Sequence, residues 1–293
     1  MKKTLLTICL VWMCFSLSAQ KIIDLSGKWS FSIDRQDNGE KEKWFSHTLN
    51  DFINLPGSMP EKLKGDEVTA KTQWTGSLYD SSYYYNPYME KYRKEGNIKF
   101  PFFLTPDKHY VGAAWYQKEV NIPADWKGER ILLFLERPHI ETTVWVNGQK
   151  TGMQNSLCVP HQYDITRYVR PGKCTITIRV DNRIKEINVG PDSHSITDQT
   201  QGNWNGIVGR ICLQTTPKTY FDDIQIYPEP EQKLARVKVV IKGTGTAKVK
   251  LSAESFNTDK KHIVPAIQQE IKLNKGVTET EMVLPMGNDM LLW

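Results

Sequence analysis

The sequence predicts an all-β protein in which a galactose-binding-like jelly-roll β-sandwich precedes an incomplete immunoglobulin-like β-sandwich. Two observations support this prediction. Apolar and polar residues alternate along many short segments, whereas the 3.6-residue periodicity of long helices is absent. Glycine, proline and asparagine recur between those segments, and many short strands separated by such turns are typical of sandwiches and jelly rolls.

Residues 1–19 predict a secretory signal peptide. Lys2 and Lys3 supply a charged start, residues 5–17 are predominantly apolar, and Ser18-Ala19 supplies small residues before the expected cleavage site. The apolar stretch is too short for a membrane-spanning helix and has the wrong flanks. We therefore expect an exported protein, either periplasmic or in the cell envelope or outside the cell, with no membrane attachment after cleavage.

Charge and cysteine content exclude several classes of partner. The formal net charge of +5 falls to +3 without the two signal lysines, and no basic stripe follows, so we expect no nucleic-acid partner. Cys158, Cys174 and Cys212 remain, without the Cys-x-x-Cys or Cys/His spacing of a zinc site. We predict buried free thiols, leave one disulfide open, and expect no metal and no other cofactor.

The strands of the first sandwich are read from local patterns. Residues 131–135 are continuously apolar, which predicts a central strand covered on both faces. Asn147-Gly148 predicts a type I′ hairpin turn within residues 142–150, because both residues tolerate a positive φ. Apolar and polar residues alternate along 174–180, which predicts a half-buried strand with one solvated face. Asp164 predicts the cap of one short helical turn.

From Phe221 onward the pattern starts again and predicts the second, smaller sandwich at residues 218–293. Ile224 and Ile226 alternate with polar residues before a break at residues 228–230. Further alternating strand residues are Val237, Val239, Ile241, Val249, Leu251, Met282 and Leu284. Lysine and threonine dominate the intervening positions, as on a solvated sheet face.

A long segment between Gly57 and Ala114 lacks clear periodicity and is rich in aromatic residues. Loops of this length are uncommon unless they are functional or disordered, and the aromatic content argues against disorder. We expect the segment to fold over one end of the sandwich. Trp74 and the run at residues 83–85 suit either a carbohydrate platform or core packing of the segment, and both alternatives stay open.

Several motifs resemble, in the same order, the sugar-binding domain of glycoside hydrolase family 2. They cover about 200 residues, and six together are specific where one alone is weak. They are Ala114-Trp115-Tyr116-Gln117-Lys118-Glu119-Val120, Trp126-Lys127-Gly128, Val144-Trp145-Val146-Asn147-Gly148, Tyr163-Asp164-Ile165-Thr166, Ile178-Arg179-Val180-Asp181-Asn182 and Gly202-Asn203-Trp204-Asn205-Gly206-Ile207.

The resemblance implies a modular layout with a jelly roll at residues 20–217 and an immunoglobulin-like domain at 218–293. In the family a TIM barrel follows, and it carries two glutamates roughly 5 Å apart for retaining hydrolysis. We expect that barrel, and the last strand of the second sandwich, to be absent from a sequence that stops at Leu292-Trp293. No residue of the chain is therefore assigned a catalytic role.

The resemblance also implies substrate contacts from the jelly roll. In β-galactosidase members an asparagine and an aspartate reach the mouth of the barrel, and the matching positions here are Asn97 and Asp198. Trp204, between two glycines, is the third candidate because its indole could stack on a sugar. Asp198 could instead cap its own turn, and Trp204 could instead anchor its loop to the core.

The sequence thus predicts the non-catalytic amino-terminal portion of an exported family 2 glycoside hydrolase, with a carbohydrate as its ligand. Whether the chain is itself active stays open at this point. The alternative is a stand-alone carbohydrate-binding or adaptor module of the cell envelope. A separately encoded catalytic barrel is the protein partner that the first prediction implies.

Overall fold

The computed structural model describes residues 21–72, 81–99, 105–185, 202–257 and 259–291. The described strands are β1 (Ile22–Asp24), β2 (Gly27–Asp34), β3 (Asp51–Leu55), β4 (Gly57–Ser58), β5 (Asp66–Glu67), β6 (Lys108–His109), β7 (Ala113–Ile122), β8 (Arg130–Pro138), β9 (Glu141–Val146), β10 (Gln149–Asn155), β11 (His161–Asp164), β12 (Gly172–Asp181), β13 (Gly206–Thr216), β14 (Tyr220–Glu229), β15 (Leu234–Asn257) and β16 (Lys260–Pro285). Within the described ranges, helical structure is limited to α1 (Ser82–Tyr85) and the short 3-10 segments Trp44–Ser46, Pro87–Arg93, Ala124–Trp126, Thr166–Tyr168 and Pro230–Gln232. No helix of the described part is long and apolar enough to cross a membrane.

The first part of the chain is a sandwich of antiparallel sheets, as predicted. One sheet, here the β8 sheet, has the order β1-β13-β8-β11, with β4 also paired to β13. The other, the β12 sheet, has the order β10-β9-β12-β7-β2-β3. The inward side chains of both sheets form one apolar core, whose largest members include Trp29, Phe31, Tyr116 and Leu133. Residues 131–135 lie in β8, between two neighbouring strands, which confirms the central strand.

The predicted hairpin is also confirmed. β9 ends at Val146, β10 begins at Gln149, and these two residues are paired across the turn. Asn147 and Gly148 adopt φ values of 49° and 76°, which is the left-handed pair that a type I′ turn requires. At the other predicted turn the short helical segment forms, but its N-cap residue is Ile165 and not Asp164. Asp164 instead accepts a hydrogen bond from the Thr166 backbone N–H at 3.1 Å, which closes a turn before the segment.

The prediction of a solvated face on β12 is wrong. Thr177 and Arg179, expected in water, are 1% and 7% exposed. The connection between β2 and β3 (residues 35–50, here the covering segment) lies over this face and packs aromatic side chains against it. The covering segment approaches closely at Gly39, where a Cβ would lie 2.5 Å from Trp115 Nε1. Period-two alternation therefore marks side-chain direction correctly, while solvent exposure depends on a segment distant in sequence.

The thiol prediction holds for some of the cysteines. Cys158, Cys174 and Cys212 are all unpaired. Cys174 and Cys212 are buried, as predicted, and burial raises the pKa of the Cys174 thiol to about 11. Cys158 is exposed, which corrects the expectation of a buried thiol at that position, because it lies on the turn before β11 rather than in a strand.

The second part of the chain is an antiparallel sheet with the order β14-β15-β16. β15 and β16 pair along almost their whole length, with register shifts at Gly243/Gly245 and Leu251/Ala253. Residues before and after the first shift, including Ile241 and Val249, share one apolar cluster, so the long ribbon bends and packs against itself. Ile224 and Ile226 lie in β14, as the alternation predicts. The domain limits 20–217 and 218–293 stay a prediction.

The aromatic-rich stretch is folded where the structure describes it. Tyr83 is fully buried, with Val68, Tyr92 and Ile98 packed around it, so this tyrosine serves the packing of the stretch. Tyr85 and Tyr88 are instead 73% and 82% exposed. Core packing is therefore shown for Tyr83, whereas a carbohydrate platform at the rest of the run stays a prediction. Trp74 lies outside the described residues.

Candidate functional site

Buried asparagines connect the end of β12 to the start of β13. The Asn182 side chain donates to the Tyr110 carbonyl at 2.8 Å and to Asn203 Oδ1 at 3.2 Å. Asn203 donates in return to the Asn182 carbonyl at 3.0 Å. Amides suit this task because each can donate and accept at once, which satisfies the backbone groups that the ladders leave unpaired. These bonds fix the backbone on both sides of residues 186–201.

Asn205 extends the same network into the core. Its amide donates to the carbonyls of Gly112 and Val180, both at 2.9 Å, and its oxygen accepts from the Tyr116 hydroxyl at 2.7 Å. The next residue must be glycine. Gly206 has φ 145°, and a Cβ there would lie 2.5 Å from the Gly57 carbonyl oxygen. The Asn203-Trp204-Asn205-Gly206 motif, here the asparagine junction, thus joins the start of β13 to the backbone after β12. The bonds of Asn203 and Asn205 on either side of Trp204 fix its position.

Trp204 stacks on His139, which follows β8. The ring centroids are 4.5 Å apart and the planes differ by 20°. His139 is nine-tenths buried, and its Nε2 lies 3.1 Å from Asn203 Oδ1. Burial lowers the pKa of His139 to about 4, against a smaller opposing effect of the Asn203 hydrogen bond. The imidazole is therefore neutral near pH 7 and backs a half-buried indole, an arrangement suited to stacking on the apolar face of a sugar ring.

The low pKa of His139 predicts that this residue makes the free energy of unfolding depend on pH. The pKa of this histidine is about 6.5 in the unfolded chain, so its full contribution to the free energy of unfolding is present above pH 6.5. That contribution, ~3 kcal/mol in total, is lost as the pH falls towards and through 4. His139→Gln should flatten the fall in unfolding free energy between pH 6.5 and 4 in urea titrations. His47→Gln, at an exposed ring, is the matched control and should reproduce the wild-type profile. Equal slopes for wild type and His139→Gln would contradict the prediction.

A charged cluster lies next to the asparagine junction. Asp181, at the end of β12, is fully buried and contacts Arg179 at 3.0 Å and Lys185 at 3.0 Å. Arg183 also reaches it, with its backbone N–H at 3.0 Å and its guanidinium at 2.6 Å. Burial opposes ionisation of Asp181, but the hydrogen bonds from Arg183 and Lys185 outweigh it and hold its pKa well below the usual range. The cluster anchors residues 183–185 to the sheet.

The structure places the three predicted contact residues as follows. Trp204 is half-buried at the His139 stack, so it is both anchored and partly exposed. Asn97 is exposed, and its side chain donates to the Lys91 carbonyl at 2.8 Å, which closes a turn. Asp198 lies outside the described residues. The substrate role of each of the three stays a prediction.

Other candidate side chains have structural partners. His161 Nδ1 lies 2.6 Å from Thr142 Oγ1, and its Nε2 lies 3.2 Å from the Ser156 carbonyl oxygen, so the ring has structural partners on both sides. Glu136 accepts from the Arg210 backbone at 2.9 Å, and Glu141 pairs with Lys185 at 2.9 Å. Within the described ranges, no group of three or more His, Cys, Asp or Glu is placed to hold a metal ion.

Sequence reasoning missed the role of His139 and of the asparagine junction. Asn182, Asn203 and Asn205 were visible as members of motifs, but a motif does not show which backbone groups an amide satisfies. Their positions on both sides of one polar stretch of the sequence were the available signal. His139 had none, because a single histidine after an apolar run is compatible with many environments.

Jelly-roll sandwiches include lectin domains, and this sandwich stacks a half-buried indole on His139 beside a network of buried amides. The chain belongs to glycosyl hydrolase family 2: the model of that family's sugar binding domain matches residues 22–217. This match confirms the resemblance inferred from the motifs.

Similar proteins include β-glucuronidases. The Homo sapiens enzyme is 24% identical over 266 residues, which cover 81% of this chain and 35% of that protein. The Paenibacillus borealis enzyme is 25% identical over 222 residues, covering 71% and 31%. The chain thus spans about a third of the length of the curated relatives it matches. A Ruminococcus gnavus β-glucuronidase in complex with D-glucaro-d-lactam has a similar fold, with a TM-score of 0.55 and 17% identity over 92% of this chain and 40% of that one.

Proposed function

We propose that the chain is the non-catalytic amino-terminal portion of an exported family 2 glycosidase that acts on β-glucuronides. The backed indole of Trp204 is the observation that carries this proposal, since it presents an aromatic surface at the junction motif of the sugar-binding domain. The similarity to β-glucuronidases supports the substrate class. The charged and apolar pattern of residues 1–19 supports export, and the mature protein is expected to begin at Gln20.

Saturation-transfer NMR with p-nitrophenyl β-D-glucuronide tests the binding role. We expect transfer to the sugar protons in the wild-type chain and its loss in Trp204→Ala, because the stacking surface is removed. Trp44→Ala is the matched control, since Trp44 is also partly buried but lies on the covering segment. Unchanged transfer in Trp204→Ala would refute the contact. Release of p-nitrophenol by the purified chain would refute the non-catalytic role.

The second candidate is a stand-alone carbohydrate-binding or adaptor module of the cell envelope. Tyr85 and Tyr88 favour it, because both are largely exposed and each offers an aromatic ring on which a sugar could stack. Glycan binding that is lost in the Tyr85→Ala and Tyr88→Ala double variant but kept in Trp204→Ala would support this candidate over the first.

A further inference from the structure

A cleft of about 590 Å³ opens on the outer face of the β12 sheet, beside residues Asp37 and Glu40 of the covering segment. Glu141 and Thr143 of β9 and Arg179 of β12 form its floor, because cross-strand pairing places their side chains on the same face. The volume falls within the range of about 300–1,000 Å³ that small-molecule sites occupy. None of its lining residues belongs to the Trp204 site.

The walls of the cleft come from separate parts of the chain. Asp37 and Glu40 of the covering segment form one wall, Lys150 and Met153 of β10 form another, and residues 183–185 form the third. β10 is the last strand of the sheet on this side. A chain-like ligand could lie across the outer face of the sheet with one unit seated in the cleft.

The charged side chains of the cleft are paired with one another and with the buried Asp181. Lys150 Nζ lies 2.9 Å from Glu40 Oε1 on one side, and Lys185 Nζ lies 2.9 Å from Glu141 Oε1 on the other. The Arg179 guanidinium is held between Asp37 at 2.6 Å and Asp181 at 3.0 Å. An ionic ligand would have to replace one of these contacts, whereas an uncharged hydroxyl could bond to both members of a pair at once.

Each lysine–glutamate pair matches the needs of a sugar diol. A hydroxyl donates one hydrogen bond and accepts others, an ammonium has three donors, and a carboxylate accepts at two oxygens. A lysine beside a glutamate therefore offers a donor and an acceptor at adjacent positions. Met153, whose side chain is 55% exposed, adds a soft apolar surface that can contact the C–H face of a pyranose.

We propose that this cleft is an accessory subsite for an uncharged, hydroxyl-rich pyranose unit of an oligosaccharide. The paired charges orient the hydroxyls, and the Met153 thioether contacts the ring. The subsite holds a glycan beside the sandwich independently of any contact that Trp204 makes, so it goes beyond the function proposed above.

NMR of the chain labelled with ¹³C-methyl methionine tests this directly, because Met153 lines the cleft. Cellohexaose, xylohexaose and maltohexaose are titrated as neutral probes and tetragalacturonate as the acidic probe. At least one neutral probe should shift the Met153 methyl signal in a saturable way, and tetragalacturonate should bind more weakly. The buried Met59 and Met282 methyl signals should stay in place and show that the fold is intact. Met153→Leu assigns the signal.

The Glu40→Ala and Lys150→Ala double variant removes one diol-binding pair, and both side chains are about half exposed, so the fold should persist. We expect the dissociation constant to rise about tenfold or more. The matched control is Glu119→Ala with Lys173→Ala, an exposed pair at 2.8 Å on the same sheet, which should bind like wild type.

The outcomes separate this proposal from the function proposed above. Trp204→Ala should leave the Met153 response unchanged while it removes saturation transfer to the glucuronide. No shift of Met153 with any neutral probe, wild-type affinity in the Glu40 and Lys150 variant, or preferred binding of tetragalacturonate would each overturn the subsite. Loss of the Met153 response in Trp204→Ala would also overturn it, because the effect would then come from the other site.

Discussion

Asp181→Asn should destabilise the sandwich by about 3–5 kcal/mol, the cost of removing one partner from a buried ionic cluster. The Asp181 carboxylate is fully buried and faces Arg179, Arg183 and Lys185. An amide of the same shape keeps the volume but removes the charge that balances these cations. Arg179, whose side chain is 9% exposed, would then keep Asp37 and Glu141 as its acidic partners.

Urea unfolding at pH 7 measures this loss, with Asp222→Asn as the matched control. Asp222 pairs with Lys242 at 2.8 Å, but both side chains are more than a third exposed, so its loss should cost at most about 1 kcal/mol. The folded pKa of Asp181 is lowered, so its contribution is present at neutral pH and disappears as the pH falls below the usual aspartate range. The gap between wild type and Asp181→Asn should therefore narrow in acid. Equal free energies of unfolding for wild type and Asp181→Asn at pH 7 would show that the charged cluster does not stabilise the fold.

Local patterns predicted those features of the fold that local chemistry decides. Asn147-Gly148 fixes its hairpin because few residues accept the required φ values, and the apolar run 131–135 fixes a central strand because it has no polar side to expose. In each case the sequence signal and the structural cause lie within a few residues of each other.

The features that sequence reasoning missed depend on distant segments. Thr177 and Arg179 were predicted to lie on a solvated face, because nothing near them in the sequence shows that residues 35–50 cover that face. His139 received no prediction, because its stacking partner Trp204 follows 65 positions later. The cleft likewise joins side chains from the covering segment, β9, β10 and the end of β12. Periodicity reports the direction of a side chain but not what covers it.

Trp115→Ala tests the covered face and should cost about 3–5 kcal/mol, as expected for a large aromatic removed from a core. Trp115 is fully buried on the side of the sheet that alternation assigns to water. Its ring packs against Trp145 at a centroid distance of 5.0 Å, and its Nε1 donates to Asp34 Oδ2 at 2.9 Å. The substitution therefore opens a cavity and removes a buried hydrogen bond from a carboxylate.

Phe52→Ala is the control for this test, because Phe52 lies on the same sheet but is 48% exposed on the edge strand β3. Its loss should cost about 1 kcal/mol or less, in proportion to the smaller apolar area that it buries. If the face were solvated, Trp115→Ala would cost no more than Phe52→Ala in urea unfolding. A larger cost for Trp115 requires that the covering segment remain docked in solution, and that docking is also what forms the wall of the cleft at Asp37 and Glu40. The Trp115→Ala variant should therefore have both a lower free energy of unfolding and a weaker response of the Met153 methyl signal to the neutral sugars.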